Sequence, residues 1–243
     1  MSEDLELALR LADAADAISL PLFGTELAVE RKPDLTPVTE ADRAVEAELR
    51  RLLSEARPED AILGEEEGRS GTGRRRWLVD PIDGTRTFTR RIPVWATLVA
   101  LEEDGLVRLG VVSAPALDRR WWAERGSGAF ADGTRIRVSA VSEIEDAVLC
   151  FGLEEELPEL AARAWHVRGF GDFWAHMLVA EGAVEGAFDA IGVSEWDLAA
   201  MQVIVDEAGG RFSDYAGEAR IDAGTALSSN GLLHEALLHN RAP

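Results

Sequence analysis

The chain has 243 residues, 47% of them apolar, which suffices for one or two domains with a full core. Its 45 acidic residues against 25 basic ones give a formal charge of −20, which argues against nucleic acid and anionic membrane surfaces as partners. A single cysteine, Cys150, excludes an internal disulfide, Cys-based zinc sites and iron–sulfur clusters. The acidic N-terminus has no unbroken apolar run, and no stretch approaches the ~18 consecutive apolar residues of a membrane span. The expectation is a soluble, cytoplasmic protein.

The spacing of Leu5, Leu9, Ala12, Ala15 and Ile18 predicts an amphipathic helix over residues 3–20, stopped by Pro21. Residues 26–39 are polar and hold Pro33 and Pro37, so they read as an extended segment or loop. Thr39 is a candidate N-cap for a second helix, with Val45, Leu49 and Leu52 as its buried stripe. Asp42 lies in its first turn, where a capping box carries Glu or Gln. Ala61-Ile62-Leu63 is a short apolar run ending in Gly64-Glu65-Glu66-Glu67-Gly68. The Arg- and Gly-rich stretch 68–76 reads as a mobile surface loop. Trp77-Leu78-Val79 is a buried strand that ends at Asp80. Val94–Leu101 and Leu106–Ser113 form a hairpin joined by Glu-Glu-Asp-Gly, and Arg120–Glu124 and Gly128–Ala131 continue an antiparallel sheet.

From Ala147 onward strand-like runs (147–151, 165–168, 184–189, 211–213, 225–229) alternate with helix-like runs (155–163, 172–181, 196–208, 231–239), which is α/β patterning. The expected fold class is therefore α/β. An α+β N-terminal half (1–143) joins an α/β C-terminal half (144–243) in one compact unit without a linker.

The most informative segment is Asp80-Pro81-Ile82-Asp83-Gly84-Thr85. Two carboxylates on one tight turn, with the Ile82 carbonyl between them, make an all-oxygen cluster suited to Mg²⁺ or Ca²⁺. The amides of Gly84 and Thr85 can face an anion. Gly64-Glu65-Glu66 also sets carboxylates at the end of an apolar strand, and Ser194-Glu195-Trp196-Asp197 opens a helix with Leu198, Met201, Ile204 and Val205 as its apolar face. Each segment alone has a plain structural reading: a turn, a solvated loop, a first-turn acid favoured by the helix dipole.

Together, Gly-Glu-Glu at 64–66, Asp-Pro-Ile-Asp-Gly-Thr at 80–85, and Trp-Asp at 196–197 followed by Glu-Ala-Gly-Gly at 207–210 resemble the motifs of the inositol monophosphatase family. The resemblance runs from Thr39-Glu40-Ala41-Asp42 to Asn230. It implies a layered αβαβα sandwich, a homodimer, and Mg²⁺-dependent, lithium-sensitive hydrolysis of a small phosphate monoester. It further implies that Glu65, Asp80, the Ile82 carbonyl, Asp83 and Asp197 hold two or three Mg²⁺ ions, which Mn²⁺ can replace. Thr85 and Asp42, with Glu65, serve the attacking water, and the Gly84 and Thr85 amides receive the phosphate. Such ions reverse the sign of the local field, which reconciles an acidic protein with an anionic substrate. No Gly-x-Ser-x-Gly is present, and Gly169-Phe170-Gly171 lacks the third glycine of a dinucleotide fingerprint.

Substrate choice is expected in the C-terminal half. Arg168, Gly171, Asp172 and Phe173 sit where the resemblance places a strand-to-helix turn on the substrate's organic part, with Asp83, Asp189 and Asp197 nearby. Inositol-cleaving members carry small or hydroxyl residues where this chain has Asp172, and a carboxylate suits a cationic alcohol. Together with the segments 32–39, 93–95, 113–117 and Trp121-Trp122, this turn is more similar to the histidinol-phosphate phosphatase branch, which implies hydrolysis of histidinol phosphate. Inositol phosphates or a broader set of sugar and nucleotide phosphates are the alternative within the family. A non-catalytic binding or regulatory member is the alternative of another class. Ala190 stands where an acid is usual, and Asp172 also reads as the cap of the helix it begins. The four histidines show no metal spacing, and the 68–76 loop is a candidate lid.

Overall fold

The computed structural model describes residues 1–32, 36–151, 158–189 and 192–239. The first half runs α1 (Glu3–Leu22), β1 (Val29–Arg31), β2 (Pro37–Thr39), α2 (Glu40–Ala56), β3 (Ala61–Gly64), β4 (Gly68–Ser70), β5 (Arg75–Asp83), α3 (Thr85–Thr89), β6 (Ala96–Glu103), β7 (Leu106–Ala114), β8 (Arg119–Glu124), β9 (Gly128–Ala131) and β10 (Thr134–Arg135). The second half follows with β11 (Val148–Phe151), α4 (Pro158–Arg163), β12 (His166–Arg168), α5 (Asp172–Ala180), β13 (Gly186–Asp189), α6 (Glu195–Glu207), β14 (Arg211–Ser213), β15 (Ala226–Ser229) and α7 (His234–His239).

Two main sheets result, an eight-stranded one in the order β10-β9-β8-β7-β6-β5-β3-β4 and a five-stranded one in the order β12-β11-β13-β15-β14. Strand alternation builds the layers. Trp77, Val79, Val99 and Leu101 pack against Leu5, Leu11, Val45 and Leu49 of α1 and α2. Leu78, Leu98 and Ala100, from the opposite face of β5 and β6, pack with α5 and α6, and Cys150 and Ala187 of the second sheet join the same cluster. Leu149, Phe151 and Phe188, on that sheet's far face, pack with Leu160 of α4 and Leu237 of α7. The order is helix, sheet, helix, sheet, helix, as expected of an αβαβα sandwich. Because α6 lies between two sheets, every residue from Leu198 to Val205 is buried, and its sequence is apolar nearly all round. β7 meets it closely: a Cβ on Gly110 would stand 2.7 Å from Ala200 Cα, so only glycine fits.

Several expectations are corrected. Pro21 lies inside the last turn of α1, where the Phe23 amide still reaches Ser19 O at 3.0 Å. The 26–39 segment is extended where it is described, with β1 and β2 paired antiparallel, and residues 33–35 lie outside the described residues. The 68–76 stretch is not a free loop or lid: β4 pairs with β3, and each arginine of 74–76 is held by acids. Arg74 meets Asp104, Arg75 meets Asp4 and Asp60, and Arg76 meets Glu102 and Glu195. The β6–β7 turn is the two residues Asp104 and Gly105, both at positive φ, as a tight hairpin requires. Of the expected 155–163 helix, residues 155–157 lie outside the described residues, and Ala190 does too. No helix among the described residues is long and apolar enough to cross a membrane.

Candidate active site

Asp80 and Asp83 are an odd number of residues apart, so strict alternation would point them to opposite faces of β5. The register against β6 slips between them, and this irregularity brings both carboxylates to one side. Asp197, in the first turn of α6, completes the group: each of the three offers an oxygen within 4.8 Å of the others. Asp80 is 1% exposed and Asp83 9%. Burial, and then the neighbouring acids, push both carboxyls well above the ordinary carboxylate range. Burial likewise raises Asp197 to about 7, against the pull of the Ser194 amide. Local hydrogen bonds fix the geometry. Asp80 Oδ1 accepts from the Ile82 amide at 2.9 Å, Asp83 Oδ2 from the Phe173 amide at 2.7 Å, and Asp197 Oδ2 from the Ser194 amide at 2.6 Å.

Glu65 directly follows β3, and its negative charge helps to push the Asp80 carboxyl up. Its turn is pinned from below by the fully buried Glu46, whose carboxylate accepts the amides of Glu66 and Glu67 at 2.7 and 2.9 Å. On the other side lies Lys32, the chain's only lysine, 2.8 Å from Glu65 and 2.6 Å from Glu66. Burial works against the Lys32 charge, yet the two carboxylates outweigh it and raise the ammonium above its ordinary value.

Asp42 sits at the third position of α2 in a capping box with Thr39, with Asp doing what Glu or Gln does in longer boxes. Its Oδ2 accepts from the Thr39 amide and hydroxyl at 2.8 and 2.6 Å. Its Oδ1 is 3.2 Å from Thr85 Oγ1, which also donates to the Ile82 carbonyl at 2.9 Å. Gly84 precedes Thr85 with φ +82°, and a Cβ there would press on Val94 O at 3.1 Å, so the turn into α3 requires glycine.

The predicted substrate side divides. Asp172 is not a cap: Gly171 occupies that position, and Asp172 is the first residue of α5 with φ +53°. Its Oδ2 stands 3.5 Å from where a Gly84 Cβ would be. Protein crowding its carboxylate raises it, Asp189 adds to the rise, and Arg86 opposes it. Asp189 ends β13 and acts electrostatically on Asp83, Asp172 and Asp197. The Phe173 ring is fully buried, 6.1 Å from Trp121, so what reaches the site from this residue is its amide. Arg168 is exposed at the end of the edge strand β12, and no hydrogen bond or ion pair joins it to the site acids among the described residues.

Sequence reasoning passed over Lys32, Glu46 and His176 as site residues. The usable signals were that Lys32 is the sole lysine, and that His176 follows Asp172 by four residues on one helix face.

The donor set is all oxygen, buried, crowded with negative charge and short of cations. It fits a hard divalent ion, which would be held by Asp80, Asp83, Asp197, Glu65 and the Ile82 carbonyl.

The profile of the inositol monophosphatase family matches residues 1–242. The chain belongs to this family. A histidinol-phosphatase of Mycobacterium tuberculosis is 52% identical over 97% of this chain and 96% of its own length. A histidinol-phosphatase of Streptomyces coelicolor is 47% identical over 97% and 96%. Among solved structures, the inositol monophosphatase of Thermotoga maritima superposes with a TM-score of 0.90 at 32% identity, covering 98% of this chain and 96% of that one. The family's sandwich and this chain's fold are the same, and the chain is a phosphoric monoester hydrolase. The non-catalytic alternative is set aside.

Proposed function

We propose that the enzyme hydrolyses histidinol phosphate to histidinol and inorganic phosphate with Mg²⁺. The observation that carries the substrate reading is the pair of carboxylates, Asp172 and Asp189, standing beside the cluster of Asp80, Asp83 and Asp197. A cationic ammonium or imidazole gains from such a pair, and a purely anionic or neutral alcohol does not. The names of the Mycobacterium and Streptomyces relatives support the same substrate.

When bound, Mg²⁺ neutralises phosphate oxygens and makes water a stronger nucleophile at neutral pH. The chain's own part is positional and basic. Asp42 Oδ2 is occupied by Thr39, so only Oδ1 faces Thr85. Thr85 donates its hydroxyl hydrogen to Asp42 or Ile82, which leaves an oxygen lone pair to orient a water for in-line attack, and Asp42 is the base that takes up the proton. The Gly84 and Thr85 amides, opening α3, receive phosphate oxygens. Asp172 and Asp189 hold the cationic end of the alcohol.

Phosphate release with Mg²⁺ from histidinol phosphate, inositol 1-phosphate and fructose 1,6-bisphosphate tests the reading. The expected order puts histidinol phosphate first by kcat/KM, with no turnover after chelation in EDTA. Preference for inositol 1-phosphate would overturn the substrate assignment, and full turnover in EDTA would overturn the mechanism.

A further inference from the structure

His176 is fully buried on α5, one helical turn beyond Asp172, and both of its ring nitrogens are engaged. Nε2 lies 2.7 Å from Asp189 Oδ2, and Nδ1 lies 2.7 Å from Ser228 Oγ. An aspartate carboxylate only accepts, so Nε2 carries the hydrogen. Nδ1 is then free to accept the Ser228 hydroxyl hydrogen. The chain of three groups spans α5, β13 and the neighbouring strand β15, where Ala187 and Ser228 are register partners two residues before Asp189. The Asp189 side chain is 12% exposed. One of its oxygens is committed to the ring, and the other remains for a ligand.

We propose that His176, held by Ser228, is a positioning residue that fixes the Asp189 carboxylate toward the cationic part of the substrate. A buried histidine with both nitrogens satisfied is often only a piece of core. Here its partner is a carboxylate at the rim of the acidic cleft, and the same helix turn supplies Asp172. One face of α5 thus carries one of the two selecting carboxylates and orients the other. Freed from the ring, Asp189 could rotate about its side-chain bonds, and the two carboxylates would no longer be set at one spacing.

The inference rests on the reading of Asp189 as a substrate contact, and the experiment separates the two. KM and kcat for histidinol phosphate at saturating Mg²⁺ are measured for wild type, Asp189→Asn, His176→Phe, His176→Gln, His176→Asn and Ser228→Ala, with the thermal midpoint of each. Asp189→Asn and His176→Phe are expected to raise KM roughly tenfold, with a smaller loss in kcat, since a charge-assisted contact is lost or misaligned. His176→Gln places an amide nitrogen close to the Nε2 position and is expected to restore most of the KM. His176→Asn, which reaches only toward Ser228, is not. Adding His176→Phe to Asp189→Asn should raise KM little further. If Asp189→Asn raises KM and the His176 variants keep the wild-type value, His176 is core and the inference falls. If Asp189→Asn itself leaves KM unchanged, the substrate contact falls and the inference with it. If His176→Phe does not fold, the Gln and Asn variants decide: equal KM values in the two would overturn the positioning role whatever their thermal midpoints.

Discussion

The ammonium of Lys32 stands 2.8 Å from the carboxylate of Glu65, one of the oxygens a divalent ion would use. A metal and a lysine on the same acid compete, so Lys32→Met should lower the Mg²⁺ concentration giving half-maximal activity. With both side chains about one-fifth exposed, the drop should be roughly three- to tenfold. A Mg²⁺ titration of turnover reads this directly. A higher Mg²⁺ requirement in the variant would mean that Lys32 props Glu65 in place and does not compete for it.

Asp83→Asn should nearly abolish turnover and leave the protein folded. The amide oxygen can still accept the Phe173 N–H that Asp83 Oδ2 accepts at 2.7 Å. Charge is what the substitution removes, and burial together with Asp172 and Asp197 makes that charge unfavourable in the metal-free fold. The thermal midpoint in EDTA should therefore rise by a few degrees, each kcal/mol being worth about 2–4 °C at this size. A variant with most of its activity would reduce Asp83 to a turn residue.

Asp172 should govern the choice between cationic and neutral alcohols. At φ +53° asparagine is tolerated better than most residues, so Asp172→Asn tests charge without straining the backbone. The kcat/KM ratio of histidinol phosphate to glycerol 2-phosphate should fall by roughly one to two decades, the worth of a charge-assisted contact. Since Asp172 bonds no helix-start amide, a capping loss does not confound the result. An unchanged ratio would remove the main physical support for a cationic substrate.

Acid should destabilise the protein partly through His234, which is buried between Ser213 and Ser229. The Ser213 hydroxyl donates to Asp214 O, so it accepts from Nε2. Ser229 accepts the Gly231 amide and gives its own hydrogen to Nδ1. The ring is thus neutral, and burial followed by Arg211 lowers its pKa to about 4. A folded value below the unfolded 6.5 contributes stability that is complete above 6.5 and is lost as pH falls toward 4. Urea unfolding at pH 7.5 and pH 5 should show the wild type losing about 2 kcal/mol more than His234→Asn. The raised carboxyls of the acidic cluster are common to both proteins and cancel. Equal losses would show that His234 is charged in the fold.

The acidic cluster of the candidate site was legible in sequence because its acids fall in short runs on strand ends and helix starts: Asp80, Asp83 and Asp197 can be found without knowing a single tertiary contact. The layers were legible through period-two alternation in β5 and β6 and through the apolar α6. What escaped is what depends on distant partners. Arg74, Arg75 and Arg76 read as a loop because Asp4, Asp60, Glu102, Asp104 and Glu195, which hold them, are scattered along the chain. The ties of Lys32 to Glu65 and of His176 to Asp189 join separate elements in the same way. Asp172, read as a substrate-selecting acid, also read as a cap because composition does not reveal a positive φ.

Asp42 and Asp197 each occupy the third position of a capping box, with one oxygen bound to the backbone at its own helix start. Each is thereby denied two-toothed grip on any ligand and presents a single oxygen in a direction the main chain has already chosen. Forming two helices is the same event as aiming two carboxylates, so the site is rigid before anything enters it. Inserting one residue between 39 and 42, or between 194 and 197, would leave both helices able to start elsewhere and the chemistry without its aim.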